Sequence, residues 1–582
     1  MRSRARSLVA TAIVVLLGPL LGAAACDGGS GAGSTSAKAR TGYGDCDKNP
    51  NTCNGGKTRP GGEYTFALNE AFTTWNVYAD DSAAEAMAGL LPKVFTAQPD
   101  GSIKLNTDLM LSAEVTNQSP QTVVYKIKPE AAWNDGTPIS ANDFLLAWKL
   151  NSGNPADCTK CKPADPTGYN LIKSVVGSDN AKTVTVTFQD GKVYPDWKGL
   201  FAIDGLYPAH LATKQGFDLA KPDGVNSAND WFANTVPSWS GGPFIIDTFN
   251  KGQSVVERKN DQWYGGNTSG LDKLTFQFMT DPAAVAPALR SKEITGINPP
   301  ATADLVEQLG QIPGVITRLS HGYTWQHLDT NTTNKWLADP VLRRAIFTAV
   351  SVKTIIGKTY GEFDKTARPL GSHNYFPGDE RYKDVVSGTG QGSGDTDKAK
   401  KLLTDEGYKV SGGHLTTKLG EAVPQLRLRI AKDDAFGAAA AAEVRGAVKD
   451  LGLDVAVQED PALDRSLSTG DFDLAIFAST GSPLAQGPAQ EQWASGHAKN
   501  FGKYSNLQVD KLITTAVGDF SDKAGEDSLN KADELLTKDA YVLPIVQEPT
   551  LIATYDTWAN IRANDTPWGP TYNVDTWAQK LL

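Results

Sequence analysis

The sequence predicts an α/β protein of several lobes built on mixed sheets. Three observations carry that expectation. Segments with strand periodicity alternate with segments of helical spacing. The 582 residues exceed what one hydrophobic core organises, so two or three lobes are expected. No internal repeat is visible, which sets a solenoid aside.

The elements follow in order from about Gly61. Glu63 to Leu68 reads as a strand, followed by a loop from Asn69 to Tyr78 and an alanine-rich helix from Ser82 to Leu90. Gln121 to Lys128 alternates, with Val123, Tyr125 and Ile127 on one face. Asn134-Asp135-Gly136 is a turn, and Ser140 to Asp143 has the form of a capping box before the helix Phe144 to Leu150. Lys182 to Phe188 is β-branched and reads as a strand. Lys251-Gly252 joins Phe244–Asn250 and Gln253–Lys259 as a hairpin. Asp339-Pro340 opens a helix whose apolar positions run from Leu342 to Ile356. Thr396 to Glu406 is a helix closed by Gly407. Phe436 to Leu451 is another, stopped by Gly452 and followed by strands Leu453–Gln458 and Phe472–Ala478.

The first 25 residues read as an export signal: Arg2, Arg4 and Arg6, an apolar run from Leu8 to Leu21, then Gly22 to Ala25. Cys26 follows directly and looks like the lipidated cysteine of a lipobox, although Ala23 stands where leucine is usual. The alternative is an ordinary secretory signal with a chance cysteine. Residues 26–60 are rich in Gly, Ser, Thr and Asn and read as a flexible tether. A coil of about 33 residues spans roughly 30 Å. The expected location is therefore the outer face of the cell membrane, anchored at Cys26.

The remaining cysteines form two local pairs, Cys46/Cys53 and Cys158/Cys161, which suits an oxidising compartment. Cys158-Thr159-Lys160-Cys161 could be half a zinc site or a redox motif. Its Asn/Pro/Asp/Lys-rich surroundings favour a structural loop disulfide. The formal charge of −10, without a basic stripe, argues against nucleic acid as a partner.

None of the six histidines precedes a glutamate, so the chain has no HExxH zinc motif. Nor does it carry a G-x-S-x-G elbow or a P-loop. Asp433-Asp434 and Glu459-Asp460 read as solvated loop or helix-start acids. No catalytic residue, metal or cofactor is expected. The 13 Trp, 17 Tyr and 20 Phe point instead to binding, because several fall in expected loops: Trp75, Tyr78, Trp239, Trp263, Tyr323, Trp325 and Trp493. Most are expected to be packing, and a few to line a cleft.

One long stretch is specific: Val123 to Pro129, then Trp133-Asn134-Asp135-Gly136-Thr137-Pro138-Ile139-Ser140-Ala141-Asn142-Asp143-Phe144. It resembles the strand and "WsDGtpltAeDv" motif of the family 5 extracellular solute-binding proteins, the dipeptide- and oligopeptide-binding class of ABC importers. Gly241 to Phe244, Asn260 to Phe278, Asn331 to Ala349, Lys398 to Tyr408, Asp471 to Leu474 and Leu543-Pro544-Ile545 resemble later motifs in the same order, in an actinobacterial branch of ABC transporter substrate-binding lipoproteins.

The resemblance implies a two-lobe periplasmic-binding-protein-like fold (type II, cluster C) with an extra subdomain in lobe I. Lobe I would comprise 61–98, 239–328 and 541–582, its subdomain 99–238, and lobe II 329–540. The chain would cross between lobes near His327–Asn331 and Tyr541–Ile545. It also implies a monomer that captures a peptide or peptide-like solute and delivers it to ABC permease and ATPase subunits. Asn69, Glu70 and Phe72 would pair with the ligand backbone by strand addition, with Trp75, Tyr323, Trp325 and Trp493 as aromatic candidates. On the other wall the family carries a Trp, then an Asp that holds the peptide ammonium. Ser479 and Ser482 occupy those places here, with Thr480 between. A neutral hydroxyl loses most of a charge-assisted bond. A second implied possibility is a regulatory or scaffold lipoprotein of the cell envelope with the same fold.

Overall fold

The computed structural model describes residues 42–266, 270–518 and 522–581. The leader, Cys26 and the start of the tether lie outside them. The organising element is a ten-stranded mixed sheet. Its order is Val455–Asp460, Leu426–Ala431, Leu474–Thr480, Val315–Thr330, Val542–Tyr555, Gly296–Ile297, Glu63–Leu68, Lys273–Phe278, Ser254–Lys259, Phe244–Asn250.

The two longest strands, Val315–Thr330 and Val542–Tyr555, pair antiparallel in the middle of this sheet and are shared by both halves. They are the hinge strands. Thr324–Thr330 pairs with Leu474–Thr480 on one side. Thr554 and Ala553 pair with Gly296 and Ile297 on the other. The register of the hinge ladder breaks between His321 and Trp325. The expected crossings, His327–Asn331 and Tyr541–Ile545, fall at the far ends of these two strands, a few residues from that break.

Local signals explain most elements. Gln121–Ile127 buries alternate residues against the subdomain core, as its period-two pattern requires. Ser140 and Asp143 form a reciprocal capping box at the start of helix Ala141–Asn151. Asp339 caps helix Pro340–Ala349 by accepting from the Val341 amide at 2.8 Å. That helix stops at Ala349, and Ile356 belongs to a second helix, Val352–Gly357, capped by Ser351. The expected helix from Ser82 to Leu90 shrinks to a 3-10 turn at Asp81–Ala83 and one helical turn at Ala84–Met87.

Segment 99–238 carries a four-stranded antiparallel sheet, Met110–Gln118, Gln121–Ile127, Thr183–Phe188 and Ile172–Ser178 in spatial order. It shares one apolar core with the first lobe, running from Tyr64 and Phe66 to Tyr125, Phe144 and Phe201. The second half of the long sheet has separate cores on its two faces, one around Leu342, Ile346 and Val444, the other around Trp325, Trp493 and Tyr541.

The expected tether is corrected over its described part. Residues from Gly42 onward are packed on the body: Tyr43, Cys46, Cys53 and Asn54 are buried. Thr58–Arg59 pairs with Ala578–Lys580 near the C-terminus. The Cys46–Cys53 disulfide and the Arg562 guanidinium, which donates to Cys53 O at 2.6 Å, supply the fixation that the polar composition lacks. Cys158 and Cys161 are also bonded to each other, in a loop.

Candidate functional site

The site is assembled where strand ends from both halves meet at the break in the hinge ladder. On the first side, strand Glu63–Leu68 runs out into Asn69, Glu70 and Ala71, all exposed. The Asn69 side-chain amide donates to Asn298 O at 3.2 Å. Two residues on, Pro300 bridges to Thr550 of the second hinge strand. The loop thus lies alongside the hinge. Phe72 and Trp75 are core rather than lining: their rings meet edge to face at 4.8 Å and pack on Phe249 and Phe278. They hold the loop up from beneath.

On the second side, strand Leu474–Thr480 ends in hydroxyls. Ser479 Oγ lies 2.8 Å from His327 Nε2, and His327 Nδ1 lies 2.6 Å from Asp329 Oδ1. The imidazole is buried between Trp325 and Phe477, with both ring centroids 4.3 Å away. This Asp–His–Ser chain has the connectivity of a nucleophile triad. Its setting is a sheet ladder, and the downstream Gly481 amide is already spent on Tyr323 O at 2.8 Å. The arrangement fixes the direction of the Ser479 hydroxyl. Thr480 Oγ1 lies 3.2 Å from Thr324 Oγ1. Ser482 accepts from the Leu484 amide at 3.1 Å, so its hydroxyl serves the local turn.

The aromatic candidates divide. Tyr323 and Trp325 lie in a hinge strand, not in a loop, and Trp493 ends helix Gln486–Trp493. Trp325 and Trp493 are buried in one core, where the Trp493 indole N–H donates to Asn374 Oδ1 at 2.8 Å. Only Tyr323 is half-buried at the junction, its ring 5.2 Å from Phe376. Gly101 faces its hydroxyl; a Cβ there would stand 2.6 Å from Tyr323 Oη, so a glycine is needed for this close approach.

Several polar groups at the junction carry no local sequence signal. His321 Nε2 lies 2.6 Å from Asp364 Oδ2. Burial opposes the charge of Asp364, but Thr366 and His321 outweigh it and hold the carboxyl below its ordinary range. Gln326 donates to Glu548 Oε1 at 2.7 Å, and Tyr360 Oη donates to the same oxygen at 3.3 Å. Between the subdomain and the second lobe lies a cavity of about 760 Å³, lined among others by Asp100, Asp196, Tyr375, Arg381, Leu484 and Glu526. Arg381 pairs with Asp379 at 2.7 Å and donates to Pro483 O at 2.9 Å. Among the described residues, no group of three or more His, Cys, Asp or Glu is gathered to hold a metal ion.

Comparison with known proteins places this arrangement. The model of bacterial extracellular solute-binding proteins, family 5 (middle region), matches residues 104–501. The oligopeptide-binding protein OppA of Mycobacterium tuberculosis is 29% identical over 517 residues, covering 86% of this chain and 83% of OppA. The solved structure of a periplasmic EDTA-binding protein, EppA, is 33% identical with a TM-score of 0.82, covering 91% of this chain and 98% of that one. The oligopeptide-binding protein AppA of Bacillus subtilis, solved with a nonapeptide, shares the fold at 18% identity, with a TM-score of 0.70 and coverage of 90% and 100%. The two-lobe periplasmic-binding architecture is therefore that of this chain.

Proposed function

The chain belongs to family 5 of the bacterial extracellular solute-binding proteins, and we propose that the solute it captures is a peptide or a peptide-like molecule. It works outside the cytoplasm as the substrate-binding component of an ABC importer. Members of this family bind and hand over solutes rather than transform them. The scaffold alternative is not favoured, because relatives spanning most of the chain are named for the solutes they bind.

The observation that carries the peptide reading is the exposed Asn69–Ala71 loop, which continues a central strand into the hinge region beside Asn298 and Pro300. An extended ligand can add to such an edge through its backbone, which makes binding tolerant of side-chain sequence. Two strands crossing at one ladder break form a hinge, and a ligand touching both lobes favours the closed state. The name of OppA and the nonapeptide in AppA support this reading. The name of EppA shows that a relative of similar length takes a small amino-carboxylate. The loss of the family's Asp at Ser482 fits a ligand whose cationic end is held elsewhere. Cys26 would carry the lipid anchor, and the body would act as a monomer.

Uptake tests the proposal. Host cells lacking the gene should lose import of isotope-labelled tetrapeptides and regain it with the wild-type copy. Unchanged import, together with purified protein that binds no tetrapeptide, would contradict it.

A further inference from the structure

Along the second hinge strand every residue from Val542 to Gln547 is buried, and the strand first surfaces at Glu548. This is the register break, where Gly322, Tyr323 and Thr324 of the first strand lie opposite the single Glu548. Such irregularities re-aim a side chain and recur beside binding sites. We propose that Glu548 anchors a cationic group of the captured solute, an ammonium or guanidinium, with Gln326 Oε1 as a second acceptor. The proposal rests on the peptide reading above and assigns the end of the ligand that the missing Asp leaves without a partner.

Two independent features support it. The Glu548 carboxylate receives hydrogen bonds only from uncharged donors, Gln326 Nε2 at 2.7 Å and Tyr360 Oη at 3.3 Å, and has no cation within ion-pair distance among the described residues. A half-buried carboxylate in that state lacks the partner that would offset its desolvation. Burial first, and the nearby Asp434 carboxylate in addition, push its pKa above the ordinary range, against the pull of the two hydrogen bonds. The second feature is Gln326. It is 5% exposed, and its Oε1 is buried without a partner while its Nε2 is spent on Glu548. A buried acceptor left without a donor is destabilising. One N–H donor carrying positive charge, placed between Glu548 and Gln326, would satisfy both. Tyr360 stacks on Phe436 at 5.0 Å and so fixes its hydroxyl in place. The set of one carboxylate, one amide and one hydroxyl offers too few ligands for a metal ion and suits an organic cation.

The test uses the purified full chain, Glu548→Gln and Gln326→Leu. The probes are tetrapeptides with uncharged side chains, the same peptides N-acetylated, and agmatine as a cation without a peptide backbone. The wild type should bind the free-amine peptides at least tenfold more tightly than the acetylated ones, and Glu548→Gln should abolish that preference. Gln326→Leu should reduce it. If Glu548→Gln keeps the preference, the anchor is overturned while the peptide reading stands. If no peptide binds but agmatine raises the Tm of the wild type and not of Glu548→Gln, the anchor stands and the peptide reading falls. A wild type indifferent to both acetylation and agmatine overturns the anchor.

Discussion

Asp196 of the subdomain accepts a hydrogen bond from the Gly487 backbone N–H at 2.6 Å, in the first turn of helix Gln486–Trp493 on the second lobe. Their neighbours Trp197 and Ala489 belong to different cores, so this bond is a latch across the cleft. Asp196→Ala removes the acceptor and leaves the helix end unsatisfied, a cost of about 1–3 kcal/mol borne by the closed state alone. The ligand-free variant should show a larger radius of gyration by small-angle X-ray scattering than the wild type. Identical scattering would show that the latch does not hold the lobes.

Buried carboxyls set an unusual pH dependence. Burial pushes Asp143 and Asp196 up to about 6, although each receives hydrogen bonds, and pushes Glu257 well above its ordinary range, with neither oxygen partnered. A carboxyl with a raised folded-state pKa binds its proton more tightly in the folded protein. Its contribution is complete below the unfolded value of about 4 and is lost as pH rises through the folded value. Asp364 and Asp473 have the opposite sign and lose their contribution only as the pH falls below about 4. The Tm should therefore be highest at about pH 4 and fall as the pH rises through about 6. Glu257→Gln should flatten the fall; a profile unchanged by that substitution would contradict the assignment.

His373 and Asp533 are both fully buried and joined through Nδ1, while His373 Nε2 faces Val542 O at 2.9 Å. With acceptors at both nitrogens the ring carries both protons. Burial opposes that charge, but Asp533 outweighs it and raises the pKa. The pair's stabilisation is present below the unfolded value of about 6.5 and is lost as pH rises through the folded one. Asp533→Asn strands the imidazolium and should cost about 3–5 kcal/mol in urea titration. Peptide affinity of the folded variant should stay within twofold, since neither residue is exposed.

The Cys46–Cys53 bridge closes a short loop that anchors the N-terminal segment. Its chain-entropy contribution is about 2–3 kcal/mol by loop length. The double Cys→Ser variant should release that segment to limited proteolysis while the remaining body resists. Equal protection in both proteins would place the anchoring in Thr58–Arg59 and Arg562 instead.

The sequence made the lobes' elements legible wherever a local rule operates. The capping box at Ser140–Asp143, the Asp339-Pro340 helix start and the alternation of Gln121–Ile127 each lie where their chemistry places them. The loop at Asn69–Glu70 and the hydroxyls at Ser479 and Thr480 came from family resemblance and stand at the junction. Trp75, Trp325 and Trp493 misled because an aromatic in an expected loop looks the same whether its ring lines a cleft or props one up. Glu548 and Gln326 gave no signal, because their meeting depends on a register break between strands more than two hundred residues apart. The described part of the tether was read from composition, which cannot register a disulfide and a distant guanidinium fixing a polar segment.

Native mass spectrometry of the protein purified from its own host, without refolding, tests the central claim most directly. The account predicts a bound mixture of peptides or peptide-like amines, released by acid and identifiable by sequencing. Protein that carries a sugar or lipid, or is empty and takes up no tetrapeptide on addition, would contradict it.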